Sequence, residues 1–504
     1  MGDQNSLLSS ADARHLLRRS GFGAPPAKVT TFTGMTRGSA ADRLLNFKPT
    51  AFKPAGKGIE DIHNSWVKYM VATPQPLQEK LVLFWHDHFS TSNNKVDDPT
   101  LMANQNLLLR TFCKGNFKDF VKAINRDAAM MEFLDTVRNQ KEQPNENYAR
   151  ELQELFTLGV TDYNGMANYG QDDIVQIARA FTGWDYGSKG KPVFDPDGEH
   201  DYTNDYPQRG PKVIYTAHGG FGPAGRDFTQ PGGEGAAEID QVIDVIFDHQ
   251  DSDGQRTVAR YIAGKLFIYF AQPYPKRPAQ AALKPIVDQL VAASQFDVTW
   301  QIGALVRAIL VHDAFYATAV PAPFAADDVK SVKWPIDYVV STLRLLRMKL
   351  KSRYQYVNGG DYASIRDLLT NMGQVLLEPP SVFGWNWETA WVSSATLLAR
   401  YSFANDLISA RGSGTTRFHP DKLSAQLSAL SKSPSADPRA VLTAVTDVLG
   451  VTDQLTAADQ TALIDYLTEN GAQPTLDLTD SDVRGRKLNG LFALVLQSPA
   501  YQLH

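Results

Sequence analysis

The chain has 504 residues, 43% of them apolar, which is enough to bury a substantial hydrophobic core. It carries 50 lysines and arginines against 55 aspartates and glutamates, a net charge of −5 that argues against nucleic-acid binding. Its single cysteine, Cys113, excludes an intramolecular disulfide and any metal site built from several cysteines.

Apolar residues recur with the 3.6-residue period of amphipathic helices along most of the chain, which predicts a mostly α fold with a multi-helix body. In the first part we predict helices at 11–19, from 74 to about 90, and at 99–112, 117–125, 145–158 and 171–182. In the second part we predict them at 237–249, 255–270, 278–293, 298–311, 334–349, 362–369, 395–408, 436–449, 457–467 and 482–496.

Two segments break this helical pattern. Residues 185–235 are rich in glycine, proline, aspartate and tyrosine, which predicts an irregular, partly β insert with a strand at 213–215. The Ser/Gly-rich segment 409–437 indicates a boundary between a main helical domain, 1–410, and a C-terminal helical extension, 411–504. No apolar run is long enough to span a membrane. The N-terminus does not read as a signal peptide, so the sequence as given predicts a cytoplasmic protein.

His86 and His88 lie near the end of the predicted helix that starts at 74. Because residues two apart on a helix differ by about 200° in direction, the two imidazoles can bind one ion only if the helix unwinds there. His88 is a candidate metal ligand or acid–base group, and His86 is a second candidate ligand. The alternative is a buried histidine that donates a hydrogen bond to a backbone carbonyl.

The helix predicted at 145–158 carries a polar stripe that includes Arg150, Glu151 and Glu154. Glu151 and Glu154, three residues apart, can project toward one point, as carboxylates do in helical metal sites. We therefore take Arg150, Glu151 and Glu154 as candidate catalytic residues and Glu151 also as a candidate ligand. The alternative is a solvent-exposed face held by i, i+4 ion pairs.

His200 and Asp201 lie within the insert, after the oxygen-rich turn 195–199, and are further candidate ligands. If they converge with the histidines and glutamates above, imidazole and carboxylate together suit zinc, manganese or iron. Calcium at the turn is a weaker candidate, because the twelve-residue calcium-loop pattern is absent.

Trp184, Trp385 and Trp387 occur in glycine-flanked loops. Exposed tryptophans beside polar loops stack on sugars, so we take these three as candidate substrate-binding residues. The alternative is that the two Gly-Trp turns pack against helices.

An ordered set of motifs connects these elements, and together they resemble the large bacterial family known as domain of unknown function eighteen-hundred, over about residues 9–410. The motifs are HLLRRSGFG at 15–23, FWHDHF at 84–89, NENYARELQELFTLG at 145–159, ARAFTGW at 178–184, KLFIYF at 265–270, PPSVFGW at 379–385 and WVSSATLLAR at 391–400. The resemblance implies an exported protein, periplasmic or extracellular, whose gene neighbours a family resembling sulfatases and phosphatases. It implies no settled activity.

Two functions follow as hypotheses. The first is a metal-assisted hydrolase or oxidoreductase that acts on an envelope or extracellular polymer such as a glycan. The second is a non-catalytic binding or assembly protein that partners a separately encoded sulfatase- or phosphatase-like hydrolase.

Overall fold

The computed structural model describes residues 3–204, 210–229, 233–271, 279–316, 331–348, 350, 355–358, 361–409 and 418–504. Within these ranges the chain is mostly helical with three short antiparallel strand pairs, which confirms the predicted fold class. No helix in the described part is long and apolar enough to cross a bilayer.

The first helices surround a buried central one. They are α1 (Ser10–Arg19), α2 (Pro26–Phe32), α3 (Arg37–Leu45), α4 (Ile59–Ala72), α5 (Pro76–His88), α6 (Asn93–Val96), α7 (Pro99–Phe112), α8 (Phe117–Ile124) and α9 (Ala128–Phe133). We did not predict α2, α3, α4, α6 and α9. In α4 the polar residues His63, Asn64 and Ser65 are buried, which hides the apolar periodicity.

The middle helices are α10 (Asn147–Glu151), α11 (Gln171–Ala180), α12 (Glu238–Asp248), α13 (Thr257–Phe270), α14 (Ala279–Ser294), α15 (Phe296–Thr299), α16 (Ile302–Val311), α17 (Asp313–Tyr316), α18 (Pro335–Leu345), α19 (Ile365–Asn371) and α20 (Ser394–Ser409). The helix predicted at 298–311 is interrupted because Trp300 has a left-handed φ of 55° between α15 and α16. The start that we predicted at 278 lies outside the described residues.

The insert is irregular and partly β, as predicted. Strand β1 (Trp184–Tyr186) pairs with β2 (Pro192–Phe194), and β3 (Val213–Ile214) pairs with β4 (Arg226–Asp227). Residues 205–209 and 230–232 of the insert lie outside the described part. A third pair, β5 (Gln355–Asn358) and β6 (Asp361–Ser364), was not predicted, and it occupies the start of the helix that we expected at 362–369.

The last helices are α21 (Ala425–Leu430), α22 (Pro438–Leu449), α23 (Ala457–Thr468), α24 (Ser481–Val483), α25 (Gly490–Gln497) and α26 (Pro499–Gln502). They pack against the beginning of the chain, where Arg18 donates to the Gly450 carbonyl and pairs with Asp453. The boundary predicted at 410/411 lies outside the described residues. A separate C-terminal extension therefore stays a prediction.

Helix α5 provides the centre on which the candidate site is built. Every residue from Leu77 to His88 is buried, because neighbouring elements cover this helix on all sides. It contacts α7 directly, where Glu79 forms a fully buried ion pair with Arg110. The polar end of α5, residues 86–88, is thereby held in a fixed position beneath the surface.

Candidate functional site

His86 and His88 point to different parts of the protein, as their spacing on a continuous helix requires. His86 Nε2 accepts a hydrogen bond of 3.0 Å from the Leu377 amide, so this nitrogen is unprotonated. His88 Nε2 lies 3.1 Å from the Phe156 carbonyl and must donate to it, which leaves Nδ1 buried without a partner. Burial lowers the pKa of His86 to about 3 and the pKa of His88 well below its usual value, so both rings are neutral.

Asp87, between the two histidines, binds a loop after α19. Its Oδ1 accepts from the Trp385 amide at 2.8 Å, and its Oδ2 accepts from Trp387 Nε1 at 3.0 Å. Gly384 permits this approach, because a Cβ there would lie 2.3 Å from Asp87 Oδ1 and its φ is +78°. Burial raises the pKa of Asp87 to about 6, although both hydrogen bonds and Lys265 oppose the shift.

Lys265, on α13, is near enough to this carboxylate for the two charges to interact. The residues of α13 that are not fully buried are Tyr261, Lys265 and Ile268, which form one stripe at i, i+4 and i+7 on an otherwise buried helix. Lys265 Nζ lies 5.3 Å from the centre of the Tyr261 ring. Burial lowers the pKa of Lys265 to about 8, with Asp87 acting in the opposite direction.

A π-helical turn, Leu152–Thr157, replaces the second half of the helix that we predicted at 145–158. Its wider hydrogen-bond spacing leaves carbonyls that other elements satisfy. Tyr261 Oη donates to the Leu155 carbonyl at 3.0 Å and His88 binds the Phe156 carbonyl. Such turns occur frequently at functional sites. Here the turn is tied to both α5 and α13.

Glu151 and Glu154 flank the start of this π-helical turn. Tyr169 Oη donates to Glu154 Oε2 at 3.1 Å, whereas Glu151 Oε2 is buried without a partner. Burial raises the pKa of Glu151 to about 7, and the charge of Glu154 adds to the shift. Arg150 turns outward instead, where it pairs with Glu146 at 3.1 Å and partly opposes that shift.

A cavity of about 190 Å³ opens beside the π-helical turn. Glu154 and Tyr261 line it, together with Asp162 and Asp251. Glu154, the cavity and Lys265 are therefore neighbours through Tyr261, whose hydroxyl contacts the turn and whose ring lies near Lys265. Glu151 is not part of the cavity lining and joins this group through its charge interaction with Glu154, and Asp87 joins it through its charge interaction with Lys265. We define these groups as the candidate site.

His200 and Asp201 belong to a separate, buried network. His200 contacts Glu238 Oε1 at 3.1 Å, and Lys212 Nζ binds the other oxygen of Glu238 at 2.5 Å. Asp201 pairs with Arg179 at 3.1 Å. These contacts join the insert to α11 and α12. His200 and Asp201 therefore have a structural role.

The convergence of ligands that we expected does not occur in the described part of the chain, where no three His, Cys, Asp or Glu side chains are placed to hold one ion. His88, Glu151 and His200 belong to three different sets of contacts. The turn proposed for calcium closes on itself, because Asp195 Oδ1 accepts from the amides of Asp197 and Gly198.

A sequence model of the family described as protein of unknown function (DUF1800) matches residues 15–503, nearly the whole chain. The chain belongs to this family. The match extends past residue 410, where we expected the resemblance to end, so the C-terminal helices are part of what the family shares. No curated protein and no solved structure matches the chain.

The tryptophans of this DUF1800 member differ in exposure. Trp184 and Trp385 are only 7% and 5% exposed, so their rings pack inside the protein, which was the alternative interpretation. Trp387 is half-buried beside Tyr269 and Trp334, with ring centres 5.9 and 5.5 Å away, so it is more accessible than the other two.

Sequence reasoning missed two groups of the candidate site, Asp87 and Lys265. Both occur in motifs that carry the resemblance, but we assigned neither a role. Lys265 had a detectable signal, since it is the cation of an otherwise apolar helical segment and follows Tyr261 by four residues. Asp87 had none, because its partners lie about 300 residues away in the chain.

Proposed function

We propose that this protein is an enzyme that works by general acid–base catalysis, a hydrolase acting on an envelope or extracellular polymer such as a glycan. Glu151 is the proton donor and Glu154 is the carboxylate that accepts a proton from water. The observation that carries the proposal is the buried, unpartnered oxygen of Glu151 at the end of α10, with the charge of Glu154 acting on it from the π-helical turn. A carboxyl group whose pKa is raised to about 7 is suited to donate a proton at neutral pH.

In the proposed reaction, Glu151 protonates the oxygen of the leaving group while the bond between that oxygen and carbon breaks. A water molecule adds to the carbon and gives a proton to Glu154. Glu151 is then ionised and Glu154 is protonated, the reverse of the starting state. Tyr169 holds Glu154 in place by its hydrogen bond to Oε2. A final proton transfer through solvent, from Glu154 to Glu151, restores the starting state.

Asp87 and Lys265 have a supporting role in this proposal. Lys265 places a positive charge on the accessible stripe of α13, where it stabilises negative charge that develops on a bound substrate. Asp87 keeps this lysine protonated and anchors Trp387 through the indole nitrogen. The half-buried side chain of Trp387 is suited to contact a sugar ring.

The test compares Glu151→Gln and Glu154→Gln with Glu146→Gln, a matched control in the same region whose carboxylate pairs with Arg150 at the surface. Purified proteins are incubated with a panel of polysaccharides, and new reducing ends are measured across pH. We expect each site variant to lose at least about 100-fold in rate and the control to retain activity. Activity that survives Glu151→Gln with an unchanged pH profile would refute the assignment.

The second candidate, an assembly protein that partners a sulfatase- or phosphatase-like hydrolase, is favoured by exposed apolar side chains around the Trp385 loop and α20. Phe383 and Leu398 are 68% and 65% exposed, and Val392 is 41% exposed. A pull-down from the native host with the wild type and with Phe383→Ser tests it. A hydrolase that co-purifies in stoichiometric amount with the wild type but not with the variant would support this role. If no hydrolase co-purifies, the assembly role is refuted and the enzyme hypothesis remains.

A further inference from the structure

The motif at 15–23, HLLRRSGFG, takes no part in the candidate site, yet several of its residues line a separate cavity of about 240 Å³. This cavity lies where the end of α1 meets α2, α3 and the start of α5. Gly21 permits the close approach of α1 to α5, because a Cβ there would lie 3.2 Å from Pro76 Cγ. All of the lining residues belong to the described part of the chain, and none of them lines the cavity beside Glu154.

The walls of this cavity are largely apolar. Its aromatic side chains are those of Phe22, Phe32 and Phe47, each at most 5% exposed. Its larger aliphatic side chains outnumber these rings, and they are Leu17, Pro25, Leu44, Pro74, Pro76 and Leu77. Burial of a hydrocarbon against such walls is favourable. The volume is below the about 300 Å³ at which pockets for drug-sized molecules begin, so the walls suit a short apolar chain.

The charged side chains of the lining are all cationic. They belong to Lys28, Arg43 and Arg344, and in the described part of the chain no aspartate or glutamate lines this cavity. Lys28 and Arg43 are exposed, whereas Arg344 is half-buried. None of the three forms an ion pair with a described residue. The cavity therefore combines an apolar interior with a positive charge that an anion would balance.

Arg344 is held in a fixed position at this cavity. Its Nη1 donates to the carbonyls of Met70, Val71 and Thr73, each at 2.9 Å, which ties the guanidinium to the end of α4. Its Nε and Nη2 have no hydrogen-bond partner among the described residues, and the residue keeps accessible surface because it is only half-buried. Burial lowers the pKa of Arg344 and no carboxylate offsets this effect. A ligand carboxylate would supply the counter-charge and the bidentate geometry that guanidinium groups favour.

We infer that this cavity binds an amphiphilic anion, an aliphatic carboxylate of medium chain length. Its hydrocarbon chain lies among the leucine, proline and phenylalanine side chains, and its carboxylate binds Arg344. Lys28 and Arg43 attract the anion from solvent. This binding site is independent of the proposed hydrolase, because it shares no residue with the candidate site.

The first experiment measures binding to the full-length protein by isothermal titration calorimetry. The probes are octanoate, hexanoate, octanol, octylamine and phenylacetate. Each buried CH₂ group tightens binding about fourfold, so we expect octanoate to bind about 15-fold more tightly than hexanoate. We also expect octanoate to bind at least about tenfold more tightly than octanol, which lacks the charge, and octylamine to bind more weakly than octanol.

Three results of this titration would overturn the inference. The first is that octanoate does not bind, and the second is that octylamine binds as tightly as octanoate. The third is that phenylacetate, which has the same number of carbon atoms, binds more tightly than octanoate, because the cavity would then select a ring and not a chain.

A second experiment tests whether octanoate binds in this cavity. Leu44→Trp places a larger side chain in the lining without changing any charge, so it should weaken octanoate binding at least about tenfold. Leu45→Trp is the matched control, since Leu45 is also half-buried on α3 but lies outside the lining, and it should bind like the wild type. Octanoate affinity that is unchanged in Leu44→Trp would refute this location.

The third experiment tests the charge. Arg344→Gln should abolish the preference for octanoate over octanol, and its circular dichroism must match the wild type because it also loses contacts with α4. Arg43→Gln removes an exposed cation and should weaken octanoate binding about threefold, with octanol unchanged. Lys48→Gln, exposed and outside the lining, is the control. If Arg344→Gln does not fold, Arg43→Gln decides, and an unchanged preference for octanoate in the folded variants would refute the role of these cations.

Discussion

Glu151 is predicted to destabilise the folded protein at alkaline pH, so Glu151→Gln should make the protein more stable there. In the folded state, burial raises the pKa of Glu151 from its ordinary 4.5 to about 7, with the charge of Glu154 as a second cause and Arg150 in opposition. A carboxyl group with a raised pKa binds its proton more tightly when folded. Ionisation of Glu151 therefore lowers the free energy of unfolding. This penalty is absent below pH 4.5 and fully present above pH 7.

The size of the effect follows from the same shift. Each pH unit between the two pKa values is worth about 1.4 kcal/mol, which gives an upper limit of about 3 kcal/mol for a fully shielded group. Glu151 is only half-buried, so solvent screening reduces the expected penalty to about 1–2 kcal/mol. Glutamine has nearly the same shape and no charge, so the variant escapes this penalty.

The assay is urea unfolding of the wild type, Glu151→Gln and the control Glu146→Gln at pH 4.5, 7 and 8.5. We expect the free energy of unfolding of Glu151→Gln to exceed that of the wild type by about 1–2 kcal/mol at pH 8.5 and to match it at pH 4.5. The control should change by less than about 0.5 kcal/mol throughout, since it removes a surface pair. A destabilisation of Glu151→Gln that is equal at all three pH values would refute the reasoning, because it would show that the carboxylate is a structural acceptor.

Three further predictions concern groups around the site. Glu79→Gln should lower the free energy of unfolding by about 3–5 kcal/mol in urea, because it leaves a buried arginine without its charge partner; a loss below 1 kcal/mol would contradict this. Asp87→Asn should lower the pKa of Lys265 below about 8, since Asp87 is the charge that raises it. Carbon-13 NMR of reductively methylated protein would measure the pKa of Lys265. A higher pKa in the variant than in the wild type would contradict the prediction. Gly384→Ala should destabilise more than Gly373→Ala by about 2 kcal/mol in thermal unfolding. Both glycines have positive φ, but only at Gly384 would a Cβ meet another residue; equal losses would exclude the steric cause.

The helical architecture was predictable because most helices bury one apolar stripe, and that stripe is visible as a period in the sequence. The exceptions have local causes. In α4 buried polar residues interrupt the stripe, and the π-helical turn at Leu152–Thr157 has the same composition as the α-helix that we predicted. The sequence pattern therefore predicted a helix with glutamates on one side. It could not reveal that the second half of this helix is π-helical.

The candidate site was only partly predictable, because ligand convergence depends on long-range packing. Sequence spacing correctly separated His86 from His88, since it follows from helix geometry alone. It could not indicate that Asp201 is neutralised by Arg179 or that His200 contacts Glu238, because those partners lie on other elements. The predicted metal site combined residues that are each a suitable ligand. In the folded protein these residues lie in separate sets of contacts.

The contacts of Arg18 have a consequence for how the protein is made. This residue is buried, and both terminal nitrogens of its guanidinium bind Gly450 or Asp453, more than 430 positions further along the chain. During synthesis α1 leaves the ribosome long before these partners exist, so its final docking must wait until the last helices have been translated. Until then the early helices expose apolar surface, which favours aggregation of the nascent chain.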